Sequence, residues 1–206
     1  IKIYSPLDFM LAVRYEDKEI SFTKLLAAWV TPHNPRINDV IKKASKIKKD
    51  MTGDGAMGVQ DSDESVKLQA KAIYLALKDM DLQYINTPVS FAPGFAQRIR
   101  YAPDVIKSGG GNCIELTIVF ASAMEAIEMD PLLVLVPGHA FFGLKLPSGG
   151  NLFLETTMLP TATFDDAVKE GNEEFRRHQQ DDTIIGIIDI REMRSEGILP
   201  NEVSGE

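Results

Sequence analysis

One cysteine, Cys113, and three histidines, His33, His139 and His178, bound the chemistry open to this chain of 206 residues. A single cysteine excludes an internal disulfide and any zinc site built on several thiolates. There is no HExxH, so neither a structural metal nor a cofactor is expected. Thiol chemistry remains, provided that the surroundings of Cys113 activate it. The residue stands in Gly111-Asn112-Cys113-Ile114-Glu115-Leu116. Asn112 is a favoured helix N-cap, and Glu115 three residues later completes a capping-box pattern. Cys113 is then the first residue of a helix, where unpaired N–H groups and the positive end of the dipole favour a thiolate. The competing reading is an inert cysteine that merely packs.

A thiol nucleophile needs an imidazole within hydrogen-bond reach and a carboxylate to orient the other ring nitrogen. His139 follows the tight turn Val136-Pro137-Gly138, at the start of a strand, and Glu155 lies on the next strand, across Pro147-Ser148-Gly149-Gly150. Side-chain alternation tests whether the two share a face. His139, Phe141, Gly143 and Lys145 fall on one face, and Glu155 goes with Asn151 and Phe153. A simple four-residue loop pairs Leu146 with Asn151 and sets the two faces against each other, which would exclude a triad. A shift of one residue places Glu155 opposite Phe141 and diagonal to His139. An irregular hairpin at Gly149 or Gly150 is therefore expected.

The elements that must hold these residues follow from periodicity. Residues 1–30 carry short apolar runs, at 1–4, 7–14 and 20–30, and read as a lead-in segment, the end of a preceding domain. Thr31-Pro32-His33-Asn34-Pro35 is a turn. Ile37, Val40, Ile41, Ala44 and Ile47 have helical spacing, as do Val66, Ala70, Ile73 and Leu77. Residues 51–63 form a loop and 86–94, with Pro88 and Pro93, an irregular stretch. A helical turn at 103–106 precedes the break Ser108-Gly109-Gly110-Gly111. That glycine run lacks the Lys-Ser/Thr of a phosphate loop and reads as clearance before the next helix. Residues 112–128 are apolar on nearly every face and predict a buried helix. Beyond Pro131 the period becomes that of strands, at 132–136, 139–146 and 151–156, an antiparallel meander. A charged surface helix at 164–179, a strand at 183–190 and a helical turn at 191–195 complete an α+β fold.

The net charge of −8 argues against nucleic-acid binding by this domain, since such binding is driven by cationic neutralisation of phosphates. The run Lys42, Lys43, Lys46, Lys48 and Lys49 reads as a solvated helix face, its field partly cancelled by Asp61, Asp63 and Glu64. Asp61 to Glu64 lacks the spacing of a calcium loop, and Trp29 and Phe141-Phe142 read as core. No apolar run approaches the roughly 20 residues of a membrane span. The chain begins at Ile1 and is read as part of a larger polypeptide.

The ordered set of capped cysteine, post-turn histidine and following carboxylate resembles the transglutaminase-like superfamily within the papain-like fold. The likeness covers about residues 31–200. Its best segments are Gly111-Asn112-Cys113-Ile114-Glu115-Leu116, Gly138-His139-Ala140-Phe141 and Leu154-Glu155-Thr156-Thr157. The run from Thr31-Pro32-His33 to Gln97-Arg98-Ile99-Arg100 looks like the bacterial transglutaminase-like module of some large helicase-bearing proteins. The resemblance implies a domain over 31–206 with a buried, cysteine-headed helix on an antiparallel sheet. It implies acyl transfer through a thioester: Cys113 as nucleophile, His139 as proton carrier, Glu155 as orienting acid. Gln97 would join the N–H of Cys113 as an oxyanion donor. A protein or peptide substrate and a cytoplasmic setting follow by analogy. Water as acceptor makes a peptidase or amidase, the preferred outcome here; an amine makes a transglutaminase. The alternative is a silent module that holds a peptide or protein partner. Two features depart from the family: its usual acid is an aspartate followed by proline, whereas Glu155 precedes Thr156, and the step from Cys113 to His139 is compact. Specificity is then expected from the lead-in and the 51–63 loop.

Overall fold

The computed structural model describes residue 5, residues 7–86 and residues 94–201. The expectations for residues 1–4 and for 87–93, including Pro88 and Pro93, lie outside the described residues. Strand β1 (Asp8–Met10), the hairpin β2 (Ala12–Tyr15) and β3 (Lys18–Ser21), and a 3₁₀ turn at Thr23–Trp29 form the lead-in. Its inward side chains Phe9, Leu26, Trp29 and Val30 join the main hydrophobic core. Trp29 also donates its indole N–H to the Ile99 carbonyl at 3.0 Å. The lead-in therefore packs into the same core as the residues that follow it.

Helix α1 (Pro35–Thr52) starts at the Asn34 cap with proline in its first turn and ends at Gly53, whose φ of 83° closes the helix in the left-handed region. Helix α2 (Asp63–Asp79) starts at the Ser62 cap. Helix α2 buries its whole expected stripe, and on α1 Ile37, Val40 and Ala44 are buried while Ile41 and Ile47 pack half-buried against the same core. The lysine run on α1 is drawn to acids: Lys42 to Asp39, Lys43 to Asp79, and Lys48, itself buried, to Asp54 at 2.9 Å.

Strands β4 (Gln83–Tyr84) and β5 (Ala96–Arg98) lead to α3 (Ala102–Ser108) and β6 (Gly110–Gly111), which pairs with β4 in parallel. Helix α4 (Cys113–Glu125) has every residue from Cys113 to Met124 buried. Strands β7 (Pro131–Val136), β8 (His139–Lys145) and β9 (Asn151–Leu154) follow. Then come a 3₁₀ turn at Thr156–Met158, helix α5 (Phe164–Gln180), strand β10 (Gly186–Asp189) and α6 (Ile190–Ser195). The sheet runs β10-β7-β8-β9, antiparallel throughout, so the fold is mixed α+β. Among the described residues no helix is long and apolar enough to cross a membrane.

Alternation divides the sheet between two helices. Leu133, Leu135, Ala140, Phe142, Leu144, Leu152 and Leu154 face the core that holds α4. Leu132, Val134, Val136, Phe141 and Phe153 face the other way and pack with Phe175 of α5. Helix α5 is thus more than the charged surface helix its composition suggests. Phe153 and Phe175 stack with centroids 3.8 Å apart, and a Cβ on Gly171 would come within 2.6 Å of the Leu154 nitrogen and 2.7 Å of the Phe153 carbonyl carbon. Alanine in a helix interior normally gains about 1 kcal/mol over glycine. Here the obstructing atoms are backbone, so Gly171→Ala is expected to destabilise the protein by about 1–3 kcal/mol. Thermal unfolding checks this; an unchanged midpoint would mean that α5 and β9 are not in such close contact.

Candidate active site

Cys113 is placed by its approach loop. The capping box forms: Glu115 N–H donates to Asn112 Oδ1 at 3.1 Å, and Asn112 N–H donates to Glu115 Oε2 at 3.1 Å. The same carboxylate receives Arg100 through its backbone N–H at 3.0 Å, Nε at 2.8 Å and Nη2 at 2.7 Å. Arg100 further donates to the Gly110 carbonyl at 2.9 Å and to Ser108 Oγ at 2.7 Å. Burial works against the charge on Glu115, but the guanidinium and two backbone N–H groups hold its carboxyl below its ordinary range. The glycines give clearance, since a Cβ on Gly110 would lie 2.6 Å from the Gln83 carbonyl oxygen and one on Gly111 2.9 Å from Val105 Cγ1.

Cys113, only 3% exposed, heads α4, and its thiol is a close enough neighbour of the His139 ring to act on its pKa. One turn along, Thr117 Oγ1 donates to the Cys113 carbonyl at 2.8 Å. It also lies 3.3 Å from the Ala140 carbonyl and 3.3 Å from Thr156 Oγ1. This buried hydroxyl ties together the helix of the cysteine, the strand of the histidine and the turn after Glu155.

The hairpin between β8 and β9 pairs Lys145 with Asn151 and Phe142 with Leu154, leaving five residues in the loop. Gly149 takes φ +90°, and its N–H bonds back to the Leu146 carbonyl. This is the one-residue shift anticipated from alternation, and in that register residue 155 falls opposite Phe141. The strand itself stops at Leu154, earlier than expected. The Glu155 N–H turns away to the Ala167 carbonyl at 2.9 Å, and the Glu155 side chain caps the 3₁₀ turn.

Glu155 Oε2 lies 2.7 Å from His139 Nε2. Its other oxygen accepts from the Thr157 N–H at 2.8 Å and the Thr157 hydroxyl at 2.6 Å. With Nε2 engaged, Nδ1 is the ring nitrogen left for the thiol. Burial alone would lower the His139 pKa; the hydrogen bonds to Cys113 and Glu155, with their charges, outweigh it and raise the value to about 10. Burial likewise works against the Glu155 charge, and the bonds from His139 and Thr157 hold its pKa below the ordinary value. The electrostatics favour an imidazolium between two acceptors.

Two neighbours are absent from the expected set. Glu174 of α5 lies with Oε2 3.9 Å from His139 Nε2, and its side chain is 12% exposed. The Tyr84 phenol is pushed up in pKa by burial and by the charges of Cys113 and Glu155, which marks it as a neighbour of both. A helical reading of 164–179 that put Ala167, Gly171 and Phe175 on the packed stripe would have brought Glu174 inward with them. Tyr84 had no such signal, because its two-residue strand is defined only by pairing with Gly110–Gly111.

Gln97 sits in β5 opposite Phe9, and its amide Nε2 is buried without a hydrogen-bond partner among the described residues. His178 is engaged elsewhere, with Nδ1 2.7 Å from Thr183 Oγ1. The donor atoms of His139, Glu155 and Glu174 lie within 4.8 Å of one another, a spacing compatible with a metal ion. The short His139–Glu155 bond already occupies Nε2, so the arrangement reads as a hydrogen-bond network. Comparisons with protein-family models, curated proteins and solved structures find no match.

Proposed function

We propose that the chain is a thiol-dependent acyl-transfer enzyme of the transglutaminase-like kind, with a papain-like core and a Cys113-His139-Glu155 triad. The observation that carries this reading is the His139 ring, a neighbour of Cys113, bound to the Glu155 carboxylate with Nε2 and Oε2 2.7 Å apart. The thiolate attacks the carbonyl carbon of a carboxamide or peptide bond, forming the C–S bond. The resulting oxyanion is met by the backbone N–H of Cys113, a helix N-terminal donor, and by Gln97, whose buried amide nitrogen is available. Collapse breaks the C–N bond as His139 protonates the leaving amine, giving a thioester. Water then attacks the thioester carbonyl, His139 takes its proton, and the acid and thiol are released. Hydrolysis is preferred over transamidation because no feature provides a dedicated amine site.

A second reading rests on the near-closure of Cys113, 3% exposed. In it the fold holds a protein or peptide partner without turnover. The discriminating experiment uses p-nitrophenyl acetate as acyl donor. The first reading expects release of p-nitrophenolate and an acetyl adduct on Cys113, seen by mass spectrometry, labile to hydroxylamine and missing in Cys113→Ser. Intact, unacylated Cys113 after prolonged incubation supports the binding module instead.

A further inference from the structure

Glu174 is a half-buried carboxylate that the triad chemistry leaves unused. Helix α5 carries it to the site on a rigid contact: Gly171 lies against the backbone of β9, Phe175 stacks on Phe153, and Asn172 Oδ1 accepts from the Phe153 N–H at 3.4 Å. The placement leaves Glu174 Oε2 3.9 Å from His139 Nε2. It also brings one carboxylate oxygen of Glu174, one of Glu155 and a His139 ring nitrogen within 4.8 Å of one another. His139 on β8 and Glu155 at the head of the 3₁₀ turn face Glu174 from the sheet side. Arg177 and His178, each with a nitrogen 3.8 Å from Oε1, face it from its own helix.

We infer that Glu174 is a positioning residue: as a neutral acid it donates its proton to Glu155 and holds that carboxylate in place against His139. Two carboxyls this close in a half-buried pocket cannot both ionise cheaply, so one keeps its proton. Glu155 has the better claim to the charge, since it alone takes the short bond from His139 and two more from Thr157. Burial therefore falls on Glu174, whose pKa is pushed up to about 7; His139 opposes the rise and Glu155 adds to it. Neither Arg177 nor His178 is within hydrogen-bond distance, so neither fixes Glu174 in its charged form. Above neutral pH the proton is lost, and two like charges then sit behind one imidazole.

The inference rests on the triad reading, and its test separates the two. Iodoacetamide alkylation of Cys113 is followed at pH 6 in the native chain and in Glu174→Gln and Glu174→Ala. In parallel, the ¹⁵N resonances of the His139 ring are titrated. Glutamine keeps a donor toward Glu155, so its rate is expected within about twofold of the native one. Alanine is expected to slow alkylation about tenfold, the usual scale for loss of an orienting partner. The native His139 resonances should show an inflection near pH 7 that disappears in Glu174→Gln. A merely structural role would not produce that inflection or the rescue by glutamine. A His139 titration without the inflection, or an alanine variant that alkylates like the native chain, overturns the role of Glu174. An inert native thiol combined with an intact inflection overturns the triad reading but leaves the shared proton standing.

Discussion

Replacement of Glu155 by glutamine is expected to slow iodoacetamide alkylation of Cys113 about 100-fold at pH 6, and His139→Ala about 1000-fold, within the range set by general acid–base groups. The reason is electrostatic. His139 is largely buried, and burial by itself disfavours the imidazolium. Only the charges and hydrogen bonds of Glu155 and Cys113 reverse that preference. A neutral amide at position 155 can still accept from Nε2–H but carries no charge, so the ring gives up its proton at lower pH and Cys113 loses its cationic neighbour.

The same substitution has a signature in stability. The His139 pKa is raised from 6.5 to about 10, so its contribution is full below 6.5 and lost as pH rises through about 10. The Glu155 pKa is lowered from 4.5, so its contribution is full above 4.5 and lost as pH falls through the depressed value. The pair therefore stabilises the fold most between pH 4.5 and 6.5. Within that window native protein and Glu155→Gln should differ most in melting temperature, and the difference should shrink towards pH 10. Superimposable alkylation profiles, or a melting difference that grows with alkalinity, would show that Glu155 does not hold the ring.

Glu115→Ala is expected to destabilise the protein by about 3 kcal/mol, the lower end for breaking a buried ion pair, because Arg100 retains some exposure. The loss is larger than that of one salt bridge, since a single carboxylate accepts from the Asn112 and Arg100 backbone N–H groups and from the guanidinium. Removing it strands those donors and half of the capping box. Denaturant unfolding measures the loss, and Glu115→Gln should recover part of it by keeping an acceptor. The approach to Cys113 should loosen too, so amide exchange at Gly110, Gly111 and Asn112 is expected to quicken. A loss below about 1 kcal/mol, typical of a surface pair, would mean that Arg100 and Glu115 do not lock the loop.

What the chain specifies locally was open to reading in the residues. Asn112 and Glu115 stand three apart, and a capping box needs nothing beyond that spacing. The helix after Cys113 had to be buried because it offers no polar face. The period of two along β8 and β9 required a shifted hairpin if His139 and Glu155 were to share a face, and Gly149 supplies it. Where β9 stops was not open in this way, because Glu155 N–H leaves the ladder for Ala167, a residue of α5. Nor was the second donor to Glu115, since Arg100 reaches it only once the loop has folded back. Glu174 is the clearest case. Its helix looks solvated by composition, and the residue enters the site only because Gly171 lets α5 lie against the backbone of β9. Caps, faces and registers are properties of spacing along one element, which a sequence carries directly. Contacts between elements depend on how closely their backbones approach, and that distance exists only in the packed chain.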